Sequence, residues 1–225
     1  MKSVHKRTGK TITHLLRTYL TPAIAALTTG ALLGLIGPGA AEWNNSFGAA
    51  LSLTFSSGWP WACYAFLVGF LCRSKIMAGS LSFAGLTTGV TIYYLFKYMN
   101  PYVPPGATNT IGEGFSSGVV LWGIYALALG LPMGLVGHLA RNQGLVALPF
   151  RIVVPAIAFF ETTLRLDVEA EGQDYVTLLT WNVTRYAAAT TALGIFGHAA
   201  WSFWCRHRRG STESDAYRTH HLHGE

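Results

Sequence analysis

Charge is what this chain has least of. Only 12% of its 225 residues are Asp, Glu, Lys or Arg, where a soluble domain carries about 25%. That argues against a solvated globular core. Cysteine is scarce too. Cys63, Cys72 and Cys205 stand apart with no CxxC spacing, which argues against a disulfide framework or a thiolate zinc site. No Walker A loop, HExxH or GxSxG occurs, so nucleotide-driven, zinc-protease and serine-hydrolase chemistry have no motif to stand on. No Asp-rich DDxxD run is present either, which disfavours magnesium-assisted ionisation of a prenyl diphosphate. No metal and no cofactor are expected.

What the chain does have is long apolar runs, and a bilayer crossing needs roughly 20 such residues. Six segments come near that length: about 15–36, 47–71, 76–96, 115–139, 145–166 and 175–204. The second is interrupted by Ser57-Gly58-Trp59-Pro60. It reads either as one broken helix or as an interfacial piece followed by a short span starting at Pro60. The expected fold is all-α, a polytopic membrane helical bundle of about six crossings. A basic head covers residues 1–14, the transmembrane domain 15–205, and a polar disordered tail 206–225. The basic start followed by an apolar run mimics a signal peptide. The run is long and lacks a small-x-small cleavage site, so it reads as a retained first span.

Loop charge orients the bundle. Cytoplasmic loops are enriched in Lys and Arg. The basic head, Arg73-Ser74-Lys75, the Arg141 turn and Arg206-His207-Arg208-Arg209 fall on one side. Glu42, Glu113, Asp167, Glu169, Glu171 and Asp174 fall on the other. Lys97 is the main exception. Both termini are therefore expected in the cytoplasm, with the protein multi-pass in a bacterial inner membrane. The net charge of +6 sits at the two ends, beside spans, and reads as orientation signal and headgroup contact. It does not read as a nucleic-acid surface. Gly30-xxx-Gly34 and Gly130-xxx-Gly134 have the spacing that lets membrane helices approach closely, within the chain before between copies. Pro132 and Pro155 should kink or loosen their helices. His220, His221 and His223 read as an unselected tail, and His138 as interfacial or bonded to backbone.

Against this background a few charges stand inside apolar runs. Glu161 and Arg165 are one helical turn apart on the fifth span, and Arg185 lies on the sixth with Trp181 and Asn182 near its face. An ionisable group at bilayer depth is costly and by default marks a site. Large aromatics are expected at the same level: Trp59, Trp61, Tyr93, Tyr94, Trp122, Trp181 and Tyr186. Ring faces stabilise cations. A carboxylic acid among such rings would protonate an apolar substrate and shelter the carbocation. Glu161 is one candidate acid. Glu113, at the outer start of the fourth span, is its competitor. The bland alternative is that Glu161, Arg165 and Arg185 simply fasten two helices.

The run Gly58-Trp59-Pro60-Trp61-Ala62, then Ala65-Phe66-Leu67-Val68-Gly69 and Tyr93-Tyr94, resembles a family of small bacterial membrane proteins known mostly as hypothetical proteins. Gly134-Leu135-Val136-Gly137, Arg141 and the stretch from Pro155 to Glu161 fit the same pattern. The chain also resembles the small membrane-bound terpene cyclases of bacterial indole-sesquiterpene pathways, of the drimentine type. That resemblance implies cyclisation of a prenyl chain already attached to another group, started by protonation and without loss of diphosphate.

Three functions are thus carried forward. One is a membrane terpene cyclase acting on a lipophilic, farnesylated indole-type substrate that enters from the bilayer. Arg165 and Arg185 would then position the acid or a polar substrate group. The second is a small-molecule transporter or substrate-binding membrane subunit. The third is a structural protein with no site. A path reaching both faces favours transport; a cavity closed toward the cytoplasm favours the enzyme.

Overall fold

The computed structural model describes residues 20–100, 111–142 and 144–222. Among them the regular structure is helical throughout. In chain order the helices are α1 (Thr21–Ala41), α2 (Ser46–Phe55), α3 (Gly58–Leu71), α4 (Lys75–Met99), α5 (Ile111–Leu139), α6 (Leu148–Val168) and α7 (Tyr175–Leu222). A short 3-10 turn, Leu145–Ala147, leads into α6.

Three of these helices, α1, α4 and α5 (from Gly118), are long and apolar enough to cross a membrane. The protein is therefore a helical membrane protein by length and composition. The remaining helices are less simple. The second apolar run is two pieces, α2 of 10 residues and α3 of 14. At about 1.5 Å per residue neither alone matches a hydrocarbon core of about 30 Å. Helix α6 has the length but carries Arg151, Glu161, Arg165 and Asp167. Helix α7 stays helical to Leu222, through the stretch from 206 onward that composition alone places in a disordered tail. The basic head, residues 1–14, lies outside the described residues.

Helix α4 is the hub, with α1 on one side and α5 on the other; α3 packs against α4, α5 and α6, and α7 lies on α6 and α2. Lipid is as apolar as leucine, so helices associate through close packing more than through burial of apolar surface. The small residues provide that closeness. A methyl added at Gly30 would stand on the carbonyl oxygen of Gly85, and one at Gly34 on that of Gly89. Gly69 meets Gly134, and Gly137 meets the backbone at Phe66. Both small-residue pairs read from the sequence thus pack helices of one chain. Around them lies the core of Ala62, Ala65, Leu86, Val90, Ala126 and Met133. Helices α5 and α6 run through Pro132 and Pro155 without a break.

The basic residues of the Arg141 end are used as caps. The carbonyl of Cys72, just past α3, accepts from Arg141 Nη1 at 2.6 Å and faces His138 Nδ1 at 3.1 Å. Arg151 donates to the carbonyls of Ala140 and Asn142, each at 3.0 Å. Cations beside the unpaired carbonyls of a helix C-terminus are favourable.

At the opposite end α7 begins on a cap of opposite sign. Asp174 Oδ1 accepts from the backbone N–H of Thr177 at 3.1 Å. Hydrogen bonds from Thr177, side chain first and then backbone, hold this exposed carboxyl below the usual range. Its folded value is depressed, so the stabilisation is present above the unfolded value and fades as pH falls through the folded one. Amide exchange at Thr177 and Leu178, normalised for intrinsic rates, should speed up on acidification into that range. Asp174→Asn should flatten that dependence; an unchanged profile in the variant would show that another group controls the turn.

Candidate functional site

The start of α3 presents a problem that Glu161 solves. A helix leaves its first four N–H groups without intrahelical partners. Ser57 sits in the cap position in extended conformation but caps nothing with its side chain. Its hydroxyl donates instead to the Leu53 carbonyl at 2.8 Å. The Ser57 N–H goes to Thr54. Pro60 has no N–H at all. Two donors remain, Gly58 and Trp59, and both go to the Glu161 carboxylate, at 2.9 Å on Oε1 and 2.8 Å on Oε2. The carboxylate thus lies on the positive end of a helix, where negative charge is favoured.

Arg165, one turn on, holds the same group. Its Nη2 donates to Glu161 Oε1 at 3.3 Å, and its Nη1 to Glu169 Oε2 at 3.3 Å. The guanidinium lies 5.9 Å from the Trp181 ring centroid. Arg165 Nε and Trp181 Nε1 are buried with no hydrogen-bond partner among the described residues. Glu161 therefore ties α6 to the α2–α3 junction with both oxygens in use as acceptors.

Beside this tie lies a cavity of about 340 Å³, within the size range of small-molecule sites. Ser56, Ser57 and Gly58 form one corner, with Trp61 of α3 beside them and Glu161 and Arg165 of α6 opposite. Helix α4 contributes Leu86, Val90, Tyr93, Tyr94 and Lys97, a single face at helical spacing. Helix α5 contributes Trp122, Tyr125, Ala126 and Leu129 in the same way. The rings pack edge to face: Trp61 on Tyr93 at 6.5 Å and Tyr93 on Tyr94 at 5.4 Å between centroids. The Trp61 indole N–H is fixed by the Phe55 carbonyl at 3.0 Å.

The cavity is one-sided. Toward the Arg73 and Arg141 end the helices close on each other through Gly69, Gly134 and Gly137, and Ser82, fully buried, donates to the Ala65 carbonyl at 2.8 Å. Toward the Lys97 end it is lined by polar groups. Its side wall is thin, because α5 and α6 meet only sparingly. Trp122 and Tyr125 on that wall are 48% and 55% exposed.

Six residues expected from the sequence line this cavity: Glu161, Arg165, Trp61, Tyr93, Tyr94 and Trp122. Five others do not. Trp59 contributes its backbone to the Glu161 tie, but its ring is outside the lining. Trp181 is only 3% exposed and meets Arg165 from the α7 side. Arg185 does not join the Glu161 cluster: its Nη2 donates to Asn182 Oδ1 at 2.9 Å and its guanidinium lies 5.2 Å from the Tyr186 ring. Tyr186 is 63% exposed. The physical reason is rotation. Helix α7 packs on α6 and α2, so α6 screens its polar face from the cavity. The side chain of Glu113 lies outside the described residues. Sequence reasoning missed Tyr125, one turn from Trp122, and Lys97, whose signal was its misfit to the loop-charge pattern.

No family model, no curated protein and no solved structure matches the chain.

Proposed function

We propose that this chain is a six-crossing inner-membrane protein, termini in the cytoplasm, that receives a lipophilic small molecule in a one-sided pocket. In this reading α2 and α3 together make one broken crossing, and α6 and α7 make the last two. The side with Arg73, Lys75 and Arg141 is cytoplasmic, following the charge rule. The ligand enters laterally between α5 and α6, past Trp122 and Tyr125. The observation that carries this reading is the closure of the cavity at one end by glycine contacts and its thin side wall between α5 and α6. A fixed, one-ended chamber suits binding or chemistry better than passage through the membrane.

The ring cluster favours chemistry as the second reading: protonation-initiated cyclisation of a farnesylated indole-type substrate. Glu161 is poorly placed as its proton donor, because both oxygens already accept hydrogen bonds. Glu113, at the start of α5, takes that role in this version. Membranes containing the protein should then convert a linear farnesylated indole to a cyclic isomer, with at least a hundredfold loss, about the size of general-acid catalysis, in Glu113→Gln. Saturable binding with no isomer formed would leave the protein a substrate-binding membrane subunit. No saturable binding of any lipophilic probe would remove the pocket reading itself.

A further inference from the structure

We propose that the pocket selects its ligand by an acidic head group: a single-chain amphiphile carrying a carboxylate or phosphate held between Lys97 and Arg165. This rests on the one-sided pocket above and names the chemistry it recognises. The lining is graded along α4. Lys97 stands at the end away from the glycine seam, Tyr94 and Tyr93 follow, and Val90 and Leu86 form the apolar floor. Eleven residues separate Lys97 from Leu86, a depth of about 16 Å along a helix. That gradient matches a molecule with a charged end and an apolar chain.

The charge balance of the lining sets the sign of that end. Among the described residues two cations and one carboxylate line the cavity, and Glu169, outside the lining, shares Arg165 with Glu161. The carboxylate, Glu161, is committed to Gly58, Trp59 and Arg165. The Lys97 ammonium has only the face of Tyr93, at 4.9 Å from the centroid, and no carboxylate among the described residues. Arg165 Nε is buried without an acceptor. With Arg165 already paired to two carboxylates, the unmatched charge is that of Lys97; an ammonium without a carboxylate and a buried N–H without an acceptor are both improved by an anion. A cationic ligand meets the reverse, since Lys97 already occupies the Tyr93 face. The proposal also explains Lys97 as a residue set against the orientation rule: on the acidic side of the bundle it serves the pocket.

The test uses the full chain in neutral phosphatidylcholine nanodiscs at mildly alkaline pH. Tryptophan quenching by bromododecanoate is compared with quenching by bromododecanol. The acid should half-saturate at about a tenfold lower mole fraction, the value of one charge-assisted hydrogen bond. Lys97→Gln should bring the acid to the level of the alcohol, and Lys97→Arg should restore the preference. Equal half-saturation of acid and alcohol in the unaltered protein overturns the acidic-head proposal while leaving the pocket. Linear, unsaturable quenching by both overturns the pocket as well. Doping with phosphatidylglycerol then separates two sources of the same chemistry. No displacement of the bromo-acid supports a free single-chain acid; displacement keeps the anionic site but overturns the single-chain part of the proposal in favour of a bilayer lipid.

Discussion

Glu161→Gln should lower the melting temperature of the purified protein, whatever it does to activity. The side-chain amide keeps one acceptor oxygen but turns an N–H₂ toward a backbone N–H of α3. One helix-terminal donor is then left facing a donor, and the ion pair with Arg165 is gone. A hydrogen bond to a charged group contributes about 1.5–3 kcal/mol, and Glu161 makes two to backbone. Its partial exposure trims the ion-pair share, leaving an expected loss of about 2–3 kcal/mol. For a chain of this size that is roughly 5–10 °C in detergent. Glu169→Gln is the control. Its side chain touches the same arginine at 3.3 Å but is half exposed and holds no helix N-terminus, and the C-cap bond of its backbone N–H to Arg165 is kept, so its effect should stay under about 1 kcal/mol. If Glu161→Gln melts with the unaltered protein, the carboxylate does not hold the α2–α3 junction.

The second large effect belongs to the glycine seams. Gly34→Ala and Gly69→Ala each place a methyl on a facing backbone carbonyl, which no rotamer change can relieve. Overpacking of this kind costs about 1–3 kcal/mol and at times more. Backbone-on-backbone contact puts these two at the upper end, near 3 kcal/mol. Gly194 is also helical, but open space surrounds it. Gly194→Ala should be neutral or gain up to about 1 kcal/mol, the usual helix preference for alanine. Thermal melts of the three variants side by side settle the matter. Similar melting for all three would mean that α1, α3, α4 and α5 are not packed as described.

Much of this architecture is legible in residue order alone. Apolar run length locates α4 and α5 to within about four residues and α1 to within about six, because a bilayer demands that length and little else in the chain competes with it. The pairing of Glu161 with Arg165 follows from a four-residue spacing on one helix. Ser57-Gly58-Trp59-Pro60 already signals the break between α2 and α3. What residue order does not carry is helix rotation. Whether Trp181 and Arg185 face a cavity or a neighbouring helix depends on which element α7 packs against, and apolar all-round helices encode that weakly. The partner of Glu161 was illegible for the same reason. It is a pair of backbone donors more than a hundred residues earlier, and backbone donors have no sequence signature. Lys97 was visible but read only as an exception to a charge rule.

The central claim is a pocket closed toward the Arg141 end, and sidedness of access tests it most directly. Cys63, Cys72 and Cys205 would be replaced, and a single cysteine placed at Val90, on the cavity wall. Reaction with a small membrane-impermeant thiol reagent is then compared in vesicles of opposite orientation. The account predicts labelling from the Lys97 side, slowed by bromododecanoate, and none from the Arg141 side. Equal labelling from both sides would contradict it and establish a continuous path across the membrane.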